Sequence, residues 1–431
     1  MKTHFNIPVS ERLVDRIGGP YVLYSVHLEG FLFCKVRYSQ LRRWDQQLRR
    51  IFGNSLPPFP PKYYLAMTAS MADERRDQLE QYLQSVPTDP NVLRSDVFIG
   101  FLKTLQQDTF KIVTKKVPLD VFLPNGRRIQ IEILTSDTVE RVLEITAYKI
   151  GLSRELLEYF NLFLMQGGGH GDLTVIKKMA EFELPYASLQ SVEVENCKVG
   201  LRKWYMDPSL DARLMDCNVA VNLLYMQTLQ EIAENWTKPT HSQRQELERL
   251  KEANDKTKFL ELAQEAWHHG YLQLDPCTCD YPEAGCGVAI SLGNDEISCC
   301  IQLPSNQTRE VNFKMSRVKC WQVTFLGAAG EVNGPVQNLD QNLELRFQYS
   351  EENTWQWFSI YTKQAFLLSS CLKKMISEKL VKLAEEDPEM QIEVPEQSKG
   401  KKAQSRQSQI DYSGILSRMS NTYPGKVTED D

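Results

Sequence analysis

The chain has 431 residues, 42% of them apolar and 25% charged, enough to bury several cores and to set an expectation of about two to four domains. A formal net charge of −6 argues against a general nucleic-acid binder, so any anionic partner must be met by a local basic site. Met1 to Ser10 has no basic segment followed by an apolar run, and no stretch of about 18 apolar residues occurs, which predicts a chain neither secreted nor membrane-spanning, with its ten cysteines kept as reduced thiols.

Tyr21, Val22, Tyr24 and Val26, then Phe31, Phe33 and Val36, with Gly30 between the runs, predict strands over residues 20–37. Leu41, Trp44, Leu48 and Ile51 recur every three or four residues and predict a helix ended by Gly53-Asn54. The loop Pro57-Pro58-Phe59-Pro60-Pro61 favours extended polyproline geometry and ends at Lys62. Two more helices are expected, one from about Ser70 to Val86 and one from Val92 to Leu105.

Arg37-Tyr38-Ser39-Gln40-Leu41 falls where a strand hands over to a helix, so guanidinium, hydroxyl and amide donors can converge on one anion. A guanidinium fork binds phosphate through two parallel hydrogen bonds, and Lys62 adds a point charge from the end of the stiff loop. At about 100° per residue, Arg75 lies within the arc of Leu79, Tyr82, Leu83 and Val86, whereas Arg76 sits at its edge. Arg75 is therefore aimed inward, where a charge needs a partner. Any one of these cations alone reads as surface charge; the grouping points to an anionic ligand.

Alternating Val117, Leu119, Val121 and Leu123, the turn Asn125-Gly126, and alternating Ile129, Ile131 and Ile133 predict a hairpin. A helix from Thr138 to Ile150 and a strand from Leu162 to Met165 complete a ubiquitin-like α+β pattern. Helical periodicity then runs from about Val219 to Gly270. Short strands return at 288–292, 297–303, 318–325, 343–349 and 355–361, and a helix from about Gln364 to Leu383 closes the folded part. Beyond Asp387 the composition turns to Gln, Ser, Lys and Glu, the signature of a disordered tail.

No catalytic grouping has a recognisable context, and no cofactor is expected. His268-His269 with Cys277, Cys279 and Cys286 lacks the spacing of a zinc site, and Gly167-Gly168-Gly169-His170-Gly171 lacks the Gly-Lys-Ser/Thr of a phosphate loop, so it reads as a flexible loop.

The Arg-Tyr-Ser motif at Arg37, the Pro-Pro-x-x-x-Lys loop ending at Lys62, and Arg75 four residues before Leu79 resemble a PX domain. The lobes that follow resemble a FERM module, and the whole order is similar to the PX-FERM subfamily of sorting nexins. The resemblance implies a multidomain α+β chain. Its parts would be a PX domain over 1–109, a ubiquitin-like F1 lobe over 114–202, a helical F2 lobe over 203–270, a PH/PTB-like F3 lobe over 271–385 and a tail over 386–431.

It also implies phosphatidylinositol 3-phosphate as ligand, with Arg37 on the 3-phosphate, Tyr38 packed under the inositol, Lys62 on the 1-phosphate, Arg75 on ring hydroxyls and Ser39 also in the lipid site. The F3 lobe is expected to receive Asn-Pro-x-Tyr receptor tails along Lys319, Trp321 and Val323, with Trp321 covering the peptide and the helix face Leu368, Leu372, Met375 and Lys379 as the opposite wall. Such a protein would be an endosomal cargo adaptor on the cytoplasmic face of early endosomes, with endosomal retrieval machinery recruited by the acidic ending Thr428-Glu429-Asp430-Asp431. A scaffold binding a small GTPase through Arg127, Arg128 and Lys149 is the alternative.

Overall fold

The computed structural model describes residues 3–62, 69–167, 173–192, 196–326, 342–351 and 354–386. The chain divides into two compact units, Met1–Trp204 with Ser209–His269, and Tyr205–Pro208 with Gly270–Asp431. The tail, its acidic ending and most of the glycine-rich segment lie outside the described residues.

In the first unit, β1 (Phe5–Val14), β2 (Pro20–Leu28) and β3 (Phe31–Arg37) form an antiparallel sheet in that order. The turn between β2 and β3 places Glu29 and Gly30 at φ 51° and 86°, and glycine holds the more extreme of the two without cost. Helix α1 (Tyr38–Phe52) buries Leu41, Trp44 and Leu48, and is followed by α2 (Ala69–Ser85), the short α3 (Pro90–Leu93) and α4 (Asp96–Phe110). Strand β1 has no clean alternation, because Pro8, Ser10 and Glu11 interrupt it. What holds it, besides β2, is α2: Glu80 and Gln84 accept the Ile7 and Phe5 backbone N–H groups, each at 2.7 Å.

The next lobe contains β4 (Lys116–Phe122), β5 (Arg128–Leu134), α5 (Val139–Ile150), β6 (Phe160–Gly167), β7 (Leu173–Lys178), α6 (Pro185–Ser191) and β8 (Cys197–Lys203). Its sheet order is β5-β4-β8-β6-β7, with β4 and β8 parallel, so in strand sequence it reads 2-1-5-3-4, the ubiquitin-like arrangement. Thr138 caps α5 by accepting the Arg141 N–H, and Gly151 ends it at φ 77°.

The two cores meet. Phe182 stacks on Phe5 at 6.0 Å and meets Phe33 and Phe98 edge-on at 5.8 and 5.7 Å. Beside it the Gln106 amide donates to the Phe182 carbonyl and accepts the Leu184 N–H.

Helices α7 (Asn218–Ala233), α8 (His241–Glu252) and α9 (Lys256–Ala263) complete the unit around Leu247, Phe259 and Ala263. Arg202 of β8 and Glu231 of α7 form a buried ion pair at 3.1 Å; Gln230 accepts from the other Arg202 amino group, and Gln227 donates to the same Glu231 oxygen.

Among its described residues the second unit is an antiparallel sheet with one α-helix. It comprises β9 (Leu272–Gln273), β10 (Cys277–Cys279), β11 (Cys286–Gly293), β12 (Glu296–Gln302), β13 (Thr308–Lys314), β14 (Val318–Leu326), β15 (Asn342–Glu351), β16 (Thr354–Tyr361) and α10 (Ala365–Glu386). The order is β13-β12-β11-β10-β16-β15-β14, with β9 added beside β11, so β13 and β14 are the two ends. Ile290, Leu345, Phe347, Phe358 and Ile360 fill the inner face, and α10 lays Leu368, Cys371 and Leu372 on it. Among the described residues no helix is long and apolar enough to cross a membrane.

Candidate lipid and peptide sites

Among the candidate lipid residues of the first unit, Tyr38 makes the contacts that define the geometry. As the first residue of α1, Tyr38 directs its hydroxyl across to the proline loop, donating to the Pro60 carbonyl at 2.9 Å, while its ring lies 5.5 Å from Phe59. Arg75 of α2 sits over that ring, its guanidinium carbon 4.5 Å from the centroid. Lys62 follows Pro60 by two residues and is exposed. Arg37 precedes Tyr38; its guanidinium stacks 3.5 Å from the Tyr21 ring centroid, and its backbone N–H is held by Gln40. Ser39 is exposed in the first turn of α1. One phenol ring therefore brings Arg75 and the proline loop together, while the Arg37 guanidinium is turned to Tyr21.

Local packing explains why the loop stays in place. Phe59 meets Tyr82 edge-on at 4.9 Å, and Tyr82 donates to Asp45 at 2.7 Å. Asp45 pairs with Arg49 at 3.0 Å, and Arg49 in turn donates to the Pro57 carbonyl. The loop is thus anchored at both ends. Arg75 is 8% exposed, and burial pushes the neighbouring Tyr24 phenol above its ordinary value while the Arg75 guanidinium pulls it part of the way back. Arg76 turns to the carboxylates of Asp73 and Asp77, at 3.8 and 3.4 Å. The amino end of α1 contributes partial positive charge to the same place.

In the second unit, β14 pairs with β15 on one side and has no strand on the other among the described residues. Its edge is a template for an added strand. The side chains stand differently from the sequence expectation. The Trp321 ring does not cover this edge: it is 2% exposed, points beneath α10 and donates from Nε1 to Ser369 Oγ at 2.9 Å. Val323, Leu368, Leu372 and Met375 are buried with it, so they are the core joining sheet to helix rather than the wall of an open groove. The cause is alternation, since Trp321 and Val323 share the strand face that α10 packs on. The register of β14 shifts between Val318 and Cys320, so exposed Lys319 departs from that alternation and lies over the Trp355 ring at 5.1 Å; Lys379 pairs with Asp295 at 2.8 Å.

On the ubiquitin-like lobe Arg127, Arg128 and Lys149 are exposed, and Arg128 contacts Asp120 at 3.4 Å. Among the described residues no group of three or more His, Cys, Asp or Glu is arranged to hold a metal ion.

Comparison with known families gives four matches along the chain. Residues 26–105 match the PX domain, 117–206 the F1 lobe of the sorting nexin 17/27/31 FERM domain, 207–266 the F2 lobe of the sorting nexin 17/31 FERM domain, and 270–380 the sorting nexin 17 FERM C-terminal domain. The chain is 68% identical to sorting nexin-31 of Homo sapiens, over 100% of this chain and 98% of that protein. It is 64% identical to sorting nexin-31 of Mus musculus, over 95% and 93%. With sorting nexin-17 of Homo sapiens the identity is 41%, over 88% and 82%.

Proposed function

The chain belongs to the sorting nexins of the 17/31 type, membrane-trafficking adaptors that join a PX domain to FERM-like lobes, and on that premise we propose that it reads phosphatidylinositol 3-phosphate and carries receptors bearing Asn-Pro-x-Tyr tails. The lipid would sit in the pocket of Arg37, Tyr38, Ser39, Lys62 and Arg75. The tail would add as a strand along the edge of β14 that carries no strand among the described residues. Both contacts would be made on the cytoplasmic face of early endosomes, in the service of receptor sorting and recycling.

The observation that carries the reading is the placement of Tyr38, which receives Arg75 on its ring and binds the proline loop through its hydroxyl, with Arg37 and Ser39 as its chain neighbours. An inositol phosphate presents separate phosphates and ring hydroxyls, and this cluster offers two guanidiniums, an ammonium and a hydroxyl. For the tail, β14 supplies backbone hydrogen bonds, while Trp321 and Val323 fix the strand from below and Leu372 and Met375 hold the helix against it. Lys319 and Lys379 stand at the margins of this arrangement.

Vesicle sedimentation and peptide titration test the two halves separately. Arg37→Ala is expected to abolish binding to phosphatidylinositol 3-phosphate vesicles while leaving tail binding unchanged. Trp321→Phe keeps most of the ring but loses the bond to Ser369; it should weaken a receptor-tail peptide and leave lipid binding intact. Normal vesicle binding by the Arg37 variant would overturn the pocket assignment. A tail peptide indifferent to Trp321→Phe and to a proline placed at Gln322 would overturn the edge.

A further inference from the structure

One end of the F3 lobe carries arginines and tryptophans that neither proposed contact uses. A cleft of about 90 Å³ opens there, bounded by Tyr281, Arg309, Arg317, Tyr349, Ser350 and Glu351. Arg309 stacks on Tyr281 at 5.2 Å, and among the described residues neither arginine has a carboxylate partner. Glu351 also lines the cleft and accepts from the Tyr349 hydroxyl at 3.4 Å, and Glu351 and Asp280 both act on that phenol.

Ser350, part of the cleft wall, is the cross-strand partner of Trp355. Trp355 and Trp357 alternate along β16, so both project from the face opposite α10, and they are 49% and 44% exposed. Each indole is capped by a cation: Lys319 lies 5.1 Å above Trp355 and Arg346 4.9 Å above Trp357. Arg346 is held there by Gln322, whose side-chain oxygen accepts from Nε and Nη2, both at 2.8 Å, in the amide orientation that satisfies both groups.

Exposed, cation-capped tryptophans on the same lobe as two arginines that have no carboxylate partner among the described residues match one medium well. A bilayer surface has anionic phosphates outside and an apolar layer just beneath, and indoles settle at that boundary. An acidic peptide would satisfy the cations but leave two large indoles in water. We infer that this end of the F3 lobe is a second membrane contact, in which phosphates of anionic phospholipids enter between Arg309 and Arg317 while Trp355 and Trp357 lie in the interfacial layer. The contact needs no phosphatidylinositol 3-phosphate and stands or falls independently of the PX pocket.

The test uses the full chain and vesicles that contain phosphatidylcholine and phosphatidylserine but no phosphoinositide, so failure of the PX reading does not affect it. Wild type should sediment with these vesicles and not with phosphatidylcholine alone. Arg309→Gln and Arg317→Gln should each lower the partition about fivefold, the worth of one basic side chain near an anionic surface. With brominated acyl chains, wild-type tryptophan fluorescence should be quenched, and Trp355→Phe with Trp357→Phe should remove that quenching.

Three outcomes would overturn the inference. They are equal partition onto neutral and anionic vesicles, no change in any of these variants, and capture of soluble inositol hexakisphosphate or a polyglutamate peptide by wild type that ignores the vesicles.

Discussion

Arg75 and Arg76 are adjacent, identical in chemistry and opposite in circumstance. Arg75 is nearly enclosed, over Tyr38 and beside Tyr24, whereas Arg76 turns to Asp73 and Asp77. A hydrogen bond to a charged ligand contributes about 1.5–3 kcal/mol, so Arg75→Ala should weaken headgroup binding roughly ten- to a hundredfold. Arg76→Ala should stay within about twofold, because exposed ion pairs contribute little. Calorimetry with a soluble headgroup distinguishes the two, and equal losses would sink the assignment.

The contrast between these arginines was legible from sequence because helical phase converts position into direction. Trp321 was not legible in the same way. A tryptophan in a strand reads alike whether it lies over a peptide or under a helix, and only the packing of α10 decides which face is inside.

Among the elements, regular repetition was readable and irregular support was not. The hairpin of β4 and β5, the cap at Thr138 and the stop at Gly151 each follow from local rules. Strand β1 and the segment 179–184 carry no period, and their structure is imposed by partners distant in sequence. Phe182 illustrates this: set between Glu181 and Glu183, it reads as a loop residue, yet it fills the PX core against Phe5, Phe33 and Phe98. Its neighbour Glu183 is buried in a pair with Lys177 at 2.8 Å and accepts from Ser188 and the Ala180 backbone, so the segment is fixed on both sides of the ring.

Removing a buried phenylalanine costs about 3–5 kcal/mol, and Phe182→Ala should lower the stability of PX and F1 together by that amount. Urea unfolding followed by amide exchange in both lobes measures it. Loss confined to F1, with PX amides as protected as before, would show that the lobes are not coupled through this ring.

At the scale of the whole molecule, a net charge of −6 sets the chain against an anionic membrane at long range. Screening limits that repulsion to about 8 Å at physiological salt, so attachment depends on short-range, shaped contacts rather than on the overall field. The proposed headgroup pocket and peptide edge would be such contacts, and each alone is expected to be short-lived. Joined in one chain they can raise apparent affinity by roughly 10²–10⁴, provided both can be engaged at once. Vesicles carrying phosphatidylinositol 3-phosphate together with a lipid-anchored Asn-Pro-x-Tyr peptide should therefore retain the protein far longer than vesicles carrying either ligand alone. Arg37→Ala and Trp321→Phe should each return the mixed vesicles to the level of a single ligand. Residence times measured by surface plasmon resonance decide the matter: if the mixed surface gives only the sum of the two separate signals, the contacts do not cooperate and the adaptor reading loses its physical basis.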